Sequence, residues 1–217
     1  NRATSIEGLY AAGDVAGGCP QKFVTGALAE GEIAAEAILE YLDRKDDRAV
    51  TENKKELSEI AAAKKSEYED HLNATRSLMN AEQLEEAMQK IMDQYAGGIG
   101  TDYRYSETSL AKADEKIAAL LPVADTLAAA DTYELMQIYE LRERLIVCRA
   151  VIAHLAARKE TRWHSFGENT DYPEQSEEWM KYVNSRMENG EIKILYRDLI
   201  TKESADSNTA VKGAGER

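Results

Sequence analysis

The chain has 217 residues, with 43 % hydrophobic, 7 % aromatic and 31 % charged residues and a formal net charge of −13. That is one large domain or two small ones with enough apolar residues for a core, and an Ala-, Glu-, Leu- and Lys-rich mixture that favours helix. The acidic balance lacks the basic stripe of a nucleic-acid binder and disfavours an anionic membrane surface, no apolar run reaches the ~20 residues of a membrane span, and three histidines without ligand spacing make no metal site.

Cys19 and Cys148 are far apart and form no CxxC, which argues against structural zinc or an iron–sulfur cluster held by this chain and points to a reduced, cytoplasmic compartment. No signal peptide is visible. The chain opens Asn1-Arg2-Ala3 without an initiator Met and enters at once a strand and turn, the pattern expected of a piece whose N-terminal part lies elsewhere.

In chain order, Leu9–Ala12 is a small-residue apolar run that reads as a buried strand. Gly13 ends it and Asp14 follows at its carboxyl end, where open α/β sheets place ligands. A glycine-rich turn runs to about Phe23, and a helix begins near Thr25, with Leu28, Ile33, Ala34, Ala37, Ile38, Tyr41 and Leu42 along a stripe and small residues crowding its first turns. Strand, glycine-rich turn and helix N-terminus is the order that presents backbone N–H groups to a phosphate or a flavin. The same order also serves as a plain turn, and spacing leaves both readings open.

A charged break at residues 44–48 marks a boundary. A helix over about 50–71 has a thin apolar face and is expected to be partly exposed. Asn80, with Gln83 three residues on, predicts a capping box, and the helix it opens stops at Gly97-Gly98. Another helix starts near Ser106 and reaches Pro122, which sits near its end or kinks it. Asp131 caps the longest helix, to about Arg158, whose seam is Leu135, Ile138, Leu141, Leu145, Cys148, Ile152 and Leu155. Together they predict a small helical bundle. Residues 160–178 read as a polar–aromatic loop, and two strands, Met180–Arg186 and Glu191–Arg197, flank an Asn-Gly hairpin signal. The tail from 201 reads as disordered. His71 and His154 lie on helices as surface or interface residues.

Several of these segments resemble, in order, the fumarate reductase/succinate dehydrogenase flavoprotein family. Gly8-Leu9-Tyr10-Ala11-Ala12-Gly13-Asp14 and the helix after it are similar to that family's last FAD-contacting segment. Leu84–Met92, Tyr95 and Thr108-Ser109-Leu110 resemble the first helices of its C-terminal helical domain, Ala156–Arg162 its Ala-Arg-x-Glu-Ser-Arg stretch, and Asp171-Tyr172-Pro173 its Asp-Tyr-Pro. The extended turn 15–23, the Ala29-Glu30-Gly31 helix and Val183-Asn184-Ser185-Arg186 are most similar to the adenylylsulfate reductase α-subunit branch.

The resemblance implies a mostly α chain: a strand–turn–helix remnant of an FAD-binding α/β domain over 1–43, a helical bundle over 50–160, a loop and hairpin over 161–200 that pack back on the flavin domain, and a disordered tail over 201–217. It implies FAD as cofactor, with Gly13, Asp14, Thr25, Ala27 and Leu28 as its contacts: Asp14 takes the ribityl hydroxyls, and the amides of Ala27 and Leu28 face the ring. It also implies an iron–sulfur partner subunit and a longer chain upstream, since no G-x-G-x-x-G serves the pyrophosphate here and the chain alone is expected to be inactive. Lys22 stands where the family carries the arginine that grips a dicarboxylate. A lysine is a point charge and not a planar fork, which puts a dicarboxylate substrate in doubt and leaves room for an oxyanion such as a sulfate or phosphate group. Arg162, Trp163 and His164 either line the mouth of the active site or dock the bundle, the role in which Arg and aromatics are common. The competing reading is a non-catalytic helical interaction module whose glycine turn is only structural.

Overall fold

The structure is a computed structural model and describes residues 1–16, 23–45, 54–75 and 77–199. Residues divide into two compact units, Asn1–Lys64 and Lys65–Arg217, each described by itself. The architecture is mostly helical with one antiparallel hairpin, as expected.

In the first unit, the N-terminal residues fold back as a narrow ribbon. Thr4 N–H donates to the Leu9 carbonyl at 2.9 Å and Ala11 N–H to that of Arg2 at 3.0 Å, around one bridge between Ala3 and Tyr10. The expected strand over Leu9–Ala12 is therefore a single bridge and not a ladder. The run has no second strand beside it among the described residues, and Leu9 is left exposed. A 3-10 turn, Gly13–Ala16, follows, so Asp14 sits in a turn and not at the end of a strand. Helix α1 spans Val24–Arg44. It meets the ribbon through Tyr10, whose hydroxyl donates to the Ala37 carbonyl at 3.4 Å and whose ring stands edge-on to Tyr41. A second side of α1, with Val24, Leu28, Leu39 and Leu42, is exposed.

Helix α2, Lys54–Asn73, crosses the division between the units. Its apolar face is thin, as the sequence predicts, and Leu57 and Ile60 are exposed. Its last turn is anchored in the second unit. His71 is 7 % exposed, and its Nδ1 lies 2.7 Å from the Leu127 carbonyl. The Ala129 N–H donates to the His71 carbonyl at 2.9 Å. His71, expected at the surface or at an interface, is not at the surface: its ring packs against the Tyr139 ring, where its polarity is matched by a backbone partner.

Three helices make the bundle of the second unit: α3 (Ala81–Tyr95), α4 (Glu107–Ala124) and α5 (Thr132–Ala157). The caps are those the sequence announces. Asn80 and Gln83 close a capping box, Ser106 and Ser109 another, and the Asp131 carboxylate accepts from the N–H groups of Tyr133 and Glu134. Gly97, at φ +82°, ends α3 in the left-handed conformation open to glycine, with Gly98 N–H donating back to the Asp93 carbonyl at 3.2 Å; a Cβ on Gly98 would lie 2.4 Å from the Asp93 Cα. Pro122 sits in the last turn of α4. The α5 seam is the spine of the core. Leu135, Ile138, Leu141, Leu145 and Ile152 are buried among Leu84, Met88, Leu110, Ala113 and Ile117, while Cys148 and Leu155 pack at its edge. Burial pushes the Cys148 thiol up, which disfavours the thiolate, and the side chain packs against the core.

Small β elements lie just before α4 and after α5. β1 (Arg104–Tyr105) pairs in parallel with β2 (Glu168–Asn169), inside the segment read as loop. β3 (Lys181–Glu188) and β4 (Glu191–Asp198) form the hairpin in full register about Asn189-Gly190. Both turn residues have positive φ, 52° and 79°, the type I′ geometry that Asn-Gly favours. The hairpin's inner face meets α5, with His154 Nε2 2.9 Å from the Ser185 hydroxyl. The tail over 201–217 lies outside the described residues.

Leu145 is fully buried at the centre of the seam. Leu145→Ala is expected to lower the unfolding free energy by about 2–5 kcal/mol, read as a shifted urea midpoint at unchanged slope.

Candidate functional site

The residues singled out at the start of the chain converge at one end of the first unit. Gly13 has φ +74°, open to glycine and strained for other residues. A Cβ built on it would sit 3.3 Å from the Cβ of Ala27, so the 13–16 turn lies directly against the first turns of α1. Gly13 is buried, whereas Asp14, Thr25, Ala27 and Leu28 are exposed along this edge. Lys22 and Cys19 lie outside the described residues.

Among the described residues the start of α1 has no side-chain cap: Phe23, in extended backbone at the N-cap, makes no cap bond, and the first turn carries no acid. The first-turn N–H groups lack an intrahelical acceptor, and the helix dipole favours an electron-rich atom beside them. Beside them are the exposed side chains of Phe23, Val24 and Leu28. Uncapped amides, an exposed carboxylate at Asp14 and a flanking apolar surface match the needs of one edge of a flavin: hydrogen bonds to ring heteroatoms, an acceptor for hydroxyls, and apolar contact with the ring. The tight Gly13–Ala27 approach brings these elements together. The set fits that edge only. Among the described residues no glycine-rich strand–helix turn with a downstream acid stands ready for a pyrophosphate.

One residue of this site is not singled out by the sequence reading. Glu30, on α1, is 3 % exposed. Its Oε2 accepts from Gly13 N–H at 3.0 Å, and its Oε1 lies 3.0 Å from Arg2 Nη2. The available signal was a lone Glu set among Ala27, Ala29, Gly31 and Ala34, on the side of the helix that meets the ribbon.

The 160–178 segment holds a second buried carboxylate. Glu160 is 2 % exposed. Arg158 donates to its Oε1 at 2.5 Å, Arg162 to both oxygens at 2.9 and 2.8 Å, and Ser176 N–H to Oε2 at 3.0 Å. The two arginines also reach the carbonyls of Trp179, Lys181 and Ser176. Arg162 is thus an internal brace. Trp163 and Phe166, set edge-on at 6.4 Å, and His164 remain exposed at the tip of the segment. Asp171, of the Asp-Tyr-Pro stretch, accepts from Glu107 N–H at 2.7 Å and so adds a second cap to α4. A groove of about 550 Å³ runs between α5 and β3, lined by Tyr105, Val151, His154, Leu155 and Val183. It is largely apolar, and it brings together no nucleophile–base pair. No group of three or more His, Cys, Asp or Glu among the described residues is arranged to hold a metal ion, and no helix is long and apolar enough to cross a membrane.

Known proteins are similar to this chain in sequence and fold. A family model described as fumarate reductase flavoprotein C-term matches residues 85–212. The adenylylsulfate reductase subunit alpha of Megalodesulfovibrio gigas is 31 % identical over 195 residues, 86 % of this chain and 29 % of that protein. An uncharacterised FAD-dependent oxidoreductase of Methanocaldococcus jannaschii is 28 % identical over 182 residues, 81 % of this chain and 31 % of that one. Among solved structures, the adenylylsulfate reductase of Archaeoglobus fulgidus is 34 % identical with a TM-score of 0.75, covering 93 % of this chain and 33 % of the other. An E. coli quinol fumarate reductase shares the fold, with a TM-score of 0.65 over 91 % of this chain and 34 % of the other. The chain spans about a third of the length of the relatives it matches.

Burial would raise the Glu160 carboxyl, but the hydrogen bonds from Arg162, Ser176 N–H and Arg158 outweigh it and hold the carboxyl below the ordinary carboxylate range. Its contribution to stability is therefore complete above the unfolded value of about 4.3 and is lost as pH falls through the lower folded value. Glu160→Ala is expected to cost about 3 kcal/mol at neutral pH and to flatten the acid limb of the stability–pH profile, measured by urea unfolding across pH 2–7.

Proposed function

This chain belongs to the fumarate reductase flavoprotein C-terminal family, and we propose that it is the closing third of an FAD-dependent oxidoreductase of the adenylylsulfate reductase type. Members of the family are FAD flavoproteins and enzymes. The observation that supports the reading is the meeting of the Gly13 turn with the start of α1, which carries no side-chain cap among the described residues; the reading takes this junction as one edge of a flavin site.

In this reading FAD, when bound, accepts or donates an electron pair. The chain's own residues hold and orient it. Asp14 accepts from the ribityl hydroxyls; the first-turn amides of α1 about Thr25 donate to the ring edge, with Ala27 and Leu28 lining it while the Ala27 N–H is held by the Phe23 carbonyl at 3.1 Å; and Gly13 lets the turn approach. Lys22 supplies a positive charge to an anionic small substrate, such as a sulfate-bearing one. Residues 1–43 complete the FAD-binding domain, 50–160 form the bundle, and 161–200 pack back on the flavin domain. An iron–sulfur subunit exchanges electrons with the flavin from the other side. The upstream chain supplies the pyrophosphate and adenosine site, so the 217 residues alone are inactive. The reading places the enzyme in the cytoplasm.

The test is the full-length protein. Purified after expression in a flavin-replete host, it is expected to show flavin absorbance near stoichiometric with protein; a folded, colourless product rejects the reading in favour of a helical interaction module. With FAD in place, Lys22→Ala is expected to raise the KM for the anionic substrate about tenfold, the loss of one charge-assisted contact, at unchanged flavin content. An unchanged KM removes Lys22 from the substrate site.

A further inference from the structure

We infer that Glu30 is a positioning residue for the flavin edge, fixing the Gly13–Asp14 backbone against the start of α1. The inference rests on the flavin reading above, and it concerns a residue that touches neither cofactor nor substrate.

Three observations carry it. Glu30 is an acid buried on a helix face otherwise built of Ala27, Ala34 and Ala37. Packing alone would be served by another small residue there, and an ionised carboxylate out of water is costly unless it is paired and hydrogen-bonded. Its two oxygens face different parts of the ribbon: Oε2 accepts from Gly13 N–H at 3.0 Å, and Oε1 is ion-paired with Arg2 Nη2 at 3.0 Å without a hydrogen bond of its own. Finally, both partners are held in left-handed backbone, φ +74° at Gly13 and 60° at Arg2. For Arg2 that conformation costs energy and persists only where the surroundings impose it. The Arg2 carbonyl is itself the acceptor for Ala11 N–H, so one carboxylate governs both strands of the ribbon and the residue before Asp14.

Asp14 is exposed and lies in a four-residue turn. A side chain so placed is positioned by its backbone and not by packing. Among the described residues, the backbone group next to it that bonds to another element is the Gly13 N–H, which donates to Glu30. A ligand edge that depends on alignment between a turn and a helix start therefore depends on that bond, which is charge-assisted and shielded from water.

The test uses full-length protein, stripped of FAD and titrated with it, and compares wild type with Glu30→Ala, Glu30→Gln and Gly13→Ala. Glu30→Ala is expected to weaken FAD binding at least tenfold and to alter the visible circular dichroism of the flavin that remains bound. The melting temperature of the stripped protein should change little, since the bundle's core is built from other residues. Glu30→Gln keeps an oxygen that can accept from Gly13 N–H and should bind FAD within about threefold of wild type. Gly13→Ala strains the same junction from the other side and should reproduce the loss. Wild type without FAD rejects the function proposed above. Wild type that binds FAD, beside Glu30→Ala with unchanged affinity and spectrum, overturns the role of Glu30 alone. Should Glu30→Ala not fold, Gly13→Ala decides, and unchanged binding there overturns the inference as well.

Discussion

A carboxylate taken out of water and surrounded by donors holds the second unit together. Glu160 sits immediately beyond α5, and the two arginines on either side of it close over it while reaching carbonyls further along the chain. Desolvating such a group costs several kcal/mol, and that cost is offset only with every partner in place. The consequence is cooperative. The end of α5, the segment after it and the entry to the hairpin are fixed as one piece, or none of them is. The neighbouring Thr161 extends the arrangement: its hydroxyl donates to the Tyr172 carbonyl and accepts from Asn169 N–H, both at 2.9 Å. An irregular segment thereby gains the definition that a helix has from its own ladder.

Glu30 repeats the device on a smaller scale. Each of the two residues is a buried glutamate, each is paired with arginine, and each accepts a backbone N–H from a segment with little regular structure. In one case the segment so held is the edge read as the flavin contact; in the other it is the brace between bundle and hairpin. Hydrophobic burial is non-directional and sets which helices meet. Angular placement of short irregular pieces needs directional bonds, and this chain supplies them from carboxylates anchored beside its helices.

That division of labour explains what could be read before the structure was seen. Features encoded by neighbours in sequence were legible: the caps at Asn80, Ser106 and Asp131, the Asn189-Gly190 turn and the seam of α5 all follow from spacing of at most a few residues. The bundle and hairpin are as expected, and so is the family. Features made by distant partners were not legible. The pairing of Glu30 with Arg2 and Gly13, and of His71 with Leu127, joins residues that no local pattern links. The Leu9–Ala12 run looked like a strand because its composition suits one, yet strand formation is decided by the presence of a neighbour, and here the neighbour is a single residue, Ala3. Gly13 and Ala27, the residues proposed for the flavin edge, are legible from their place in a motif, while the close approach between them belongs to the turn whose Gly13 N–H is bound by Glu30.

The two tryptophans of the chain stand in different surroundings. Trp163 is 67 % exposed at the tip of the segment after α5. Trp179 is half-buried at the root of the hairpin, its ring edge-on to Tyr196 and flanked by the cations of Arg158 and Lys181. The protein therefore carries its own pair of optical probes: a red-shifted, readily quenched emitter in water, and a shielded one whose signal is tied to the docking of β3 and β4.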